Sequence, residues 1–182
     1  MQFLAEVTET VNTVIEEATE GKKKLFIEGS FMQSEQKNRN GRIYPKSVLE
    51  AQVEKYQGAI KASRALGELN HPSHPTVDLQ KASHLITELR WEGNDVYGKA
   101  KILSTPMGQI AEALINDGVQ FGVSSRGLGS VKQKNGINEV QSDFRLICVD
   151  IVSDPSANDA WMQGLYENAE WVFDAVKNEW LI

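Results

Sequence analysis

Residues 83–91 and 96–103 are two apolar-polar alternating runs separated only by Glu92-Gly93-Asn94-Asp95. Period-two alternation is the pattern of a half-buried strand, and a four-residue Gly/Asn/Asp connection closes a hairpin. Two strands joined so tightly must be antiparallel, because a parallel pair needs a crossover. Other strand patterns follow at 25–33, 65–69 and 119–130, with Asn135-Gly136 a further hairpin turn, and at 140–152, the longest apolar run. About seven strands result, mostly linked by hairpins. Helices are predicted from Pro45 to about residue 62, after Ser104-Thr105-Pro106, and from Ala157 to Tyr166. No strand-helix alternation with a Gly-rich phosphate loop appears, which argues against a nucleotide-binding doubly wound sheet.

Within residues 2–20, Phe3, Leu4, Val7, Val11, Val14, Ile15 and Ala18 fall on one helical stripe, stopped by Gly21. Residues 1–24 are therefore expected to be a helical appendage, 25–167 the core domain, and 168–182 an acidic tail carrying Trp171, Phe173 and Trp180. The formal net charge of -6 argues against nucleic acid as a direct partner, since phosphate contacts need a basic surface. No apolar run reaches membrane-spanning length, and no signal peptide pattern opens the chain. Cys148 is the only cysteine, so no internal disulfide or multi-cysteine zinc site is available. It is expected to be a small buried hydrophobe, in a reducing cytoplasmic compartment.

Chemistry concentrates in the strand ending Phe121-Gly-Val-Ser-Ser-Arg-Gly-Leu-Gly-Ser130. A serine on a rigid strand, next to glycines that let backbone approach closely, suits a nucleophile whose oxyanion is held by N–H donors. Such a serine needs an imidazole, and the imidazole needs an orienting acceptor. His71 ends a strand beside Pro72 and Pro75; His84, within an apolar strand, reads as structural. Asp150 is a lone charge inside Ile147-Cys148-Val149-Asp150-Ile151-Val152, where a carboxylate needs a strong partner. Alternation alone leaves open which face it occupies, and Asp143 and Asp154 are weaker alternatives. His71 and His74 with Asp78 form a less favoured metal reading, since the prolines forbid the helix that a helical His pair requires. No metal or cofactor is expected.

Gly67-Glu-Leu-Asn-His-Pro72, Gly122-Val-Ser-Ser-Arg-Gly-Leu-Gly-Ser130 and Pro155-Ser-Ala157, preceded by Asn38-Arg-Asn-Gly-Arg-Ile-Tyr-Pro45, resemble the prohead core proteases of T-even-type tailed phages. These are relatives of herpesvirus assemblin, and the resemblance spans roughly residues 25–162. It implies an α+β fold with a mostly antiparallel β-barrel surrounded by helices. It also implies a serine endopeptidase that acts on phage scaffold and capsid proteins, inside the prohead core in the host cytoplasm. The catalytic histidine falls on His71 and the nucleophile on Ser124, with Ser125 its neighbour. The herpesvirus relatives carry a histidine at the interval where Asp150 follows Ser124, so Asp150 as third member is a chemical inference. Ser125, Arg126 and Gly127, with Ser156, Ala157 and Asn158 after the last strand, are the expected oxyanion and substrate loops. Family members cut after Glu preceded two residues earlier by Leu or Ile, and cut themselves. That marks Leu4-Ala5-Glu6 and Leu165-Tyr166-Glu167 as candidate self-cleavage sites. A homo-oligomer is expected. The rival readings are a structural component of the capsid core without catalysis, and the metal-binding protein.

Overall fold

The computed structural model describes residues 1–8, 12–17, 23–70, 72, 74–153, 172–174 and 179–181. His71, the stretch 154–158, the expected helix 157–166 and Glu167 lie outside the described residues. In chain order the elements are β1 (Gln2–Thr8), β2 (Asn12–Glu17), β3 (Lys23–Gln33), β4 (Arg42–Ile43), α1 (Lys46–Lys61), β5 (Leu66–Glu68), β6 (Ala82–Glu92) and β7 (Asp95–Ile102). They continue with α2 (Pro106–Asn116), β8 (Gly122–Gly129), β9 (Val131–Lys134), β10 (Ile137–Val140), β11 (Arg145–Val152), β12 (Val172–Asp174) and β13 (Glu179–Leu181).

Residues 2–8 and 12–17 are strands, not the expected helix. Val7, Thr8, Thr13, Val14 and Ile15 are β-branched, which costs χ1 freedom in a helix and suits a pleated surface. β1 lies antiparallel along β8, and β2 along β3, so tertiary pairing decides the conformation. Phe3, Leu4 and Ala5 are buried.

Five strands pair in the order β2-β3-β7-β6-β5, and three in the order β1-β8-β11. A small sheet β4-β10-β9 includes one parallel pairing, β4 with β10. The β6–β7 hairpin turns at Gly93 (φ 63°), as its Gly/Asn composition requires. The run 140–152 is broken by a turn closed from Phe144 N–H to Gln141 O, so β10 and β11 are separate. The ladders among the described residues do not close into a barrel. The two larger sheets meet at one parallel bridge, Leu69 to Ile151. That seam stays short because β5 has three residues and Asn70 turns left-handed (φ 61°), a conformation Asn tolerates.

Between the sheets lies one core that includes Ile27, Phe31, Ile86, Val123, Val149 and Ile151. α1 contributes Leu49, Val53 and Tyr56 to it. Thr105 caps α2 by accepting from Gly108 N–H at 3.1 Å, with Pro106 at the first position. Ala111 is buried, while Ile110 and Leu114 are exposed at 47% and 38%.

Candidate active site

Ser124 sits in the middle strand of the β1-β8-β11 sheet. Its register partner is Asp150 on one side and Val7 on the other. Directly opposed residues in an antiparallel pair share a face, with Cβ atoms about 5 Å apart. Pairing thus settles what alternation left open: Asp150 stands on the same face as Ser124. Both side chains are fully buried, and among the described residues Ser124 Oγ has no hydrogen-bond partner. Ser125, one residue on, points to the other face, into a cavity of about 30 Å³ that Glu6, Phe31, Tyr44 and Leu49 also line.

Asp150 is held from three directions. Its Oδ1 accepts from Glu68 N–H at 3.0 Å and from Arg126 Nη2 at 3.1 Å, and lies 3.3 Å from Cys148 Sγ. Its Oδ2 is 2.9 Å from Arg126 Nε. Arg126 also reaches Glu68 Oε2 at 2.6 Å and the carbonyls of His74 (2.7 Å) and Thr76 (3.2 Å). Burial works against the charge on Arg126, and the carboxylates of Asp150 and Glu68 more than offset it, so its pKa is raised. Its Nε–H donates to Cys148 Sγ at 3.1 Å, so the whole guanidinium is engaged within this buried cluster. Gly127 lies within β8, where a Cβ would lie 2.4 Å from the Phe144 ring and 2.7 Å from Arg145 O. Cys148 is buried as expected, yet its thiol lies in this polar cluster, and burial raises its pKa well above the usual value.

Asn70 donates its N–H to Ile151 O at 2.7 Å, which fixes residue 70 next to the backbone that follows Asp150. His74 Nδ1 lies 2.7 Å from Thr76 Oγ1, and among the described residues no group of three or more metal-ligating side chains forms. His84 is structural. Its Nε2–H donates to Val149 O at 2.7 Å, and Nδ1 accepts from Ser83 Oγ at 2.8 Å. Burial lowers its pKa, so it stays neutral.

Glu6, on β1 opposite Ser125, is gripped by the loop Asn38–Pro45. Arg42 Nε and Asn40 Nδ2 each donate to its carboxylate at 2.5 Å, and Tyr44 OH at 3.0 Å. Asn38 Oδ1 shapes that loop by accepting from the N–H groups of Asn40 and Arg42, both at 3.0 Å. Burial raises the pKa of Glu6, against the opposing pull of Arg42, Asn40 and Tyr44. In sequence the loop is a motif and Glu6 a cleavage signal; that one binds the other depends on tertiary contact and has no local signature.

The family profile described as "Prohead core protein serine protease" matches residues 5–170. The chain belongs to that family. It is 46% identical over 143 residues to the "Prohead core protein protease" of Enterobacteria phage T4, a match that covers 76% of this chain and 68% of the relative. The fold matches the solved structure of the bacteriophage T4 capsid assembly protease, gp21, at a TM-score of 0.80 and 38% identity. That match covers 85% of this chain and 98% of the T4 protease. The mixed α+β, mostly antiparallel architecture of this prohead core protease family member is thus shared with a known capsid protease. Among the described residues no helix is long and apolar enough to cross a membrane.

Proposed function

We propose that this chain is a serine endopeptidase that cuts scaffold and capsid proteins after Glu, at Leu/Ile-x-Glu sites, within the phage prohead core, and also cuts itself. The observation that carries this reading is the ladder in which Ser124 is flanked by Asp150 and, on the other side, by the β1 residue that follows Glu6. His71 serves as the base. This assignment rests on chain connectivity, since Asn70 is tied to the backbone next to Asp150 and one peptide link spans 3.8 Å. His71 takes the proton from Ser124 Oγ as the oxygen bonds to the carbonyl carbon. The imidazolium, oriented by Asp150, returns the proton to the leaving amine as the C–N bond breaks. Water then hydrolyses the acyl-enzyme, with His71 again as base. N–H groups of Ser156, Ala157 and Asn158 hold the oxyanion.

The Glu6 pocket supports a preference for Glu. Arg42, Asn40 and Tyr44 offer only donors to the carboxylate, and Leu4, two residues earlier, is buried in the core. β1 is an edge strand, so another extended segment of the same pattern could take its place by strand addition. On this reading β1 is both the first substrate, cut after Glu6, and the plug whose removal opens Ser124. A second self-cleavage follows Glu167, and the protease works as a homo-oligomer. Full burial of Ser124 also fits a capsid-core component without catalysis, and one experiment separates the two. A fluorophosphonate probe should label the purified protein, with loss of residues 1–6 seen by mass spectrometry. Ser124→Ala should abolish both, and Ser125→Ala neither. Equal labelling of Ser124→Ala and wild type would end the serine reading.

A further inference from the structure

We propose that Arg126 is a positioning residue for the catalytic base, a clamp that brackets the segment carrying His71 from both sides; this rests on the serine-protease reading above. Upstream of position 71, the guanidinium holds Glu68 through Nη2 at 2.6 Å. Downstream, Nη1 holds the carbonyls of His74 and Thr76. Its remaining edge grips Asp150, so one rigid group ties together both flanks of residue 71 and the acceptor meant to orient that imidazole. The backbone adds to this, because Glu68 N–H also donates to Asp150 Oδ1.

Only arginine fits the position. The acceptors lie along different edges of the guanidinium plane, and a fork of fixed geometry meets them together, whereas a lysine ammonium is a single point with three donors. The balance of charge points the same way. Among the described residues one guanidinium faces two carboxylates in a fully buried cluster, a formal excess of one negative charge. That excess favours a cation nearby, and an imidazolium formed during acyl transfer supplies one.

The test is the pH dependence of fluorophosphonate labelling at Ser124 in the full chain, with amide hydrogen exchange over residues 72–78. Arg126→Lys keeps the charge but loses the fork. It should label about 100-fold more slowly, the cost typical of a catalytic group displaced by about 1 Å. Its half-maximal labelling should move to lower pH by roughly one unit, because an imidazole farther from Asp150 is less basic. Amides of 72–78 should exchange faster while those of β6 and β7 do not. Pro75→Gly loosens the same loop without touching a charged group, and should move rate and pH midpoint in the same directions by less. It decides the matter if Arg126→Lys fails to fold. A wild-type rate and pH midpoint in the folded variants would overturn the clamp, as would slow labelling with unchanged exchange in 72–78. Ser124→Ala separates the two levels: if it labels like wild type the serine reading fails, and if it is silent while Arg126→Lys is unimpaired, only the clamp fails.

Discussion

Replacing Glu6 by alanine tests whether β1 is held chiefly by its carboxylate. The side chains of Arg42 and Glu6 are only 6% and 12% exposed, so the pair is close to fully buried. Breaking a buried ion pair from one side costs about 3–5 kcal/mol, because the remaining charge loses its partner without regaining water. Here Asn40 and Tyr44 lose an acceptor as well, although Arg42 and Asn40 keep hydrogen bonds to Ala5 O. A loss of about 3 kcal/mol is expected, a large fraction of the roughly 5–15 kcal/mol that holds a domain folded. Glu6→Gln keeps the shape and forfeits the charge, and should cost about 1–2 kcal/mol. The assay is urea unfolding in the Ser124→Ala background, so that no strand is lost to cleavage. A double-mutant cycle of Glu6→Gln with Arg42→Gln should return a coupling of about 1–3 kcal/mol. Glu54→Ala, on the exposed face of α1, is the control and should stay within about 0.5 kcal/mol of its parent. If Glu6→Ala behaves like that control, the carboxylate does not anchor β1, and the argument that this pocket reads a substrate Glu falls with it.

Two further outcomes follow from groups around the site. His84 has a pKa below the ordinary imidazole value because it is buried. As pH falls through about 6.5 the unfolded chain takes up a proton there and the fold does not, so stability drops on acidification, with a limiting slope of about 1.4 kcal/mol per pH unit. Urea midpoints at pH 7.5 and 5.5 should fall more steeply for wild type than for His84→Gln, and parallel slopes would refute the assignment. Gly127→Ala drives a Cβ into the Phe144 ring and the backbone of Arg145. It should destabilise by about 1–3 kcal/mol or more, read by thermal unfolding, and an unchanged melting temperature would mean that β8 and Phe144 are not in contact.

What could be read in advance divides along a physical line. Features set by near neighbours in the chain were legible. The hairpin at Gly93 declares itself through turn composition, α2 through Thr105 and Pro106, and the structural role of His84 through its apolar strand. Features set by pairing between distant strands were not. The stripe in residues 2–20 fits a helix until β8 lies alongside β1. The face of Asp150 is undetermined by its own strand, since one residue of slip would send it to the opposite side. Register with Ser124 decides it. Arg126 shows the limit most plainly. From its neighbours it is an arginine in a Ser/Gly-rich strand end, which invites an exposed, substrate-facing role. Its acceptors come from residues 68, 74, 76, 148 and 150, and no local pattern announces that five separate positions converge on one guanidinium. A lone arginine inside an otherwise apolar or small-residue strand nonetheless carries a usable signal. Burying such a charge is prohibitive without carboxylates. The acidic residues of neighbouring apolar strands, here Glu68 and Asp150, are therefore the first partners to seek. By the same logic the loop Asn38–Pro45, with its Asn and Arg donors ahead of Tyr44, is a site waiting for an anion. The chain itself supplies that anion at Glu6, the residue before Val7, which pairs with Ser124.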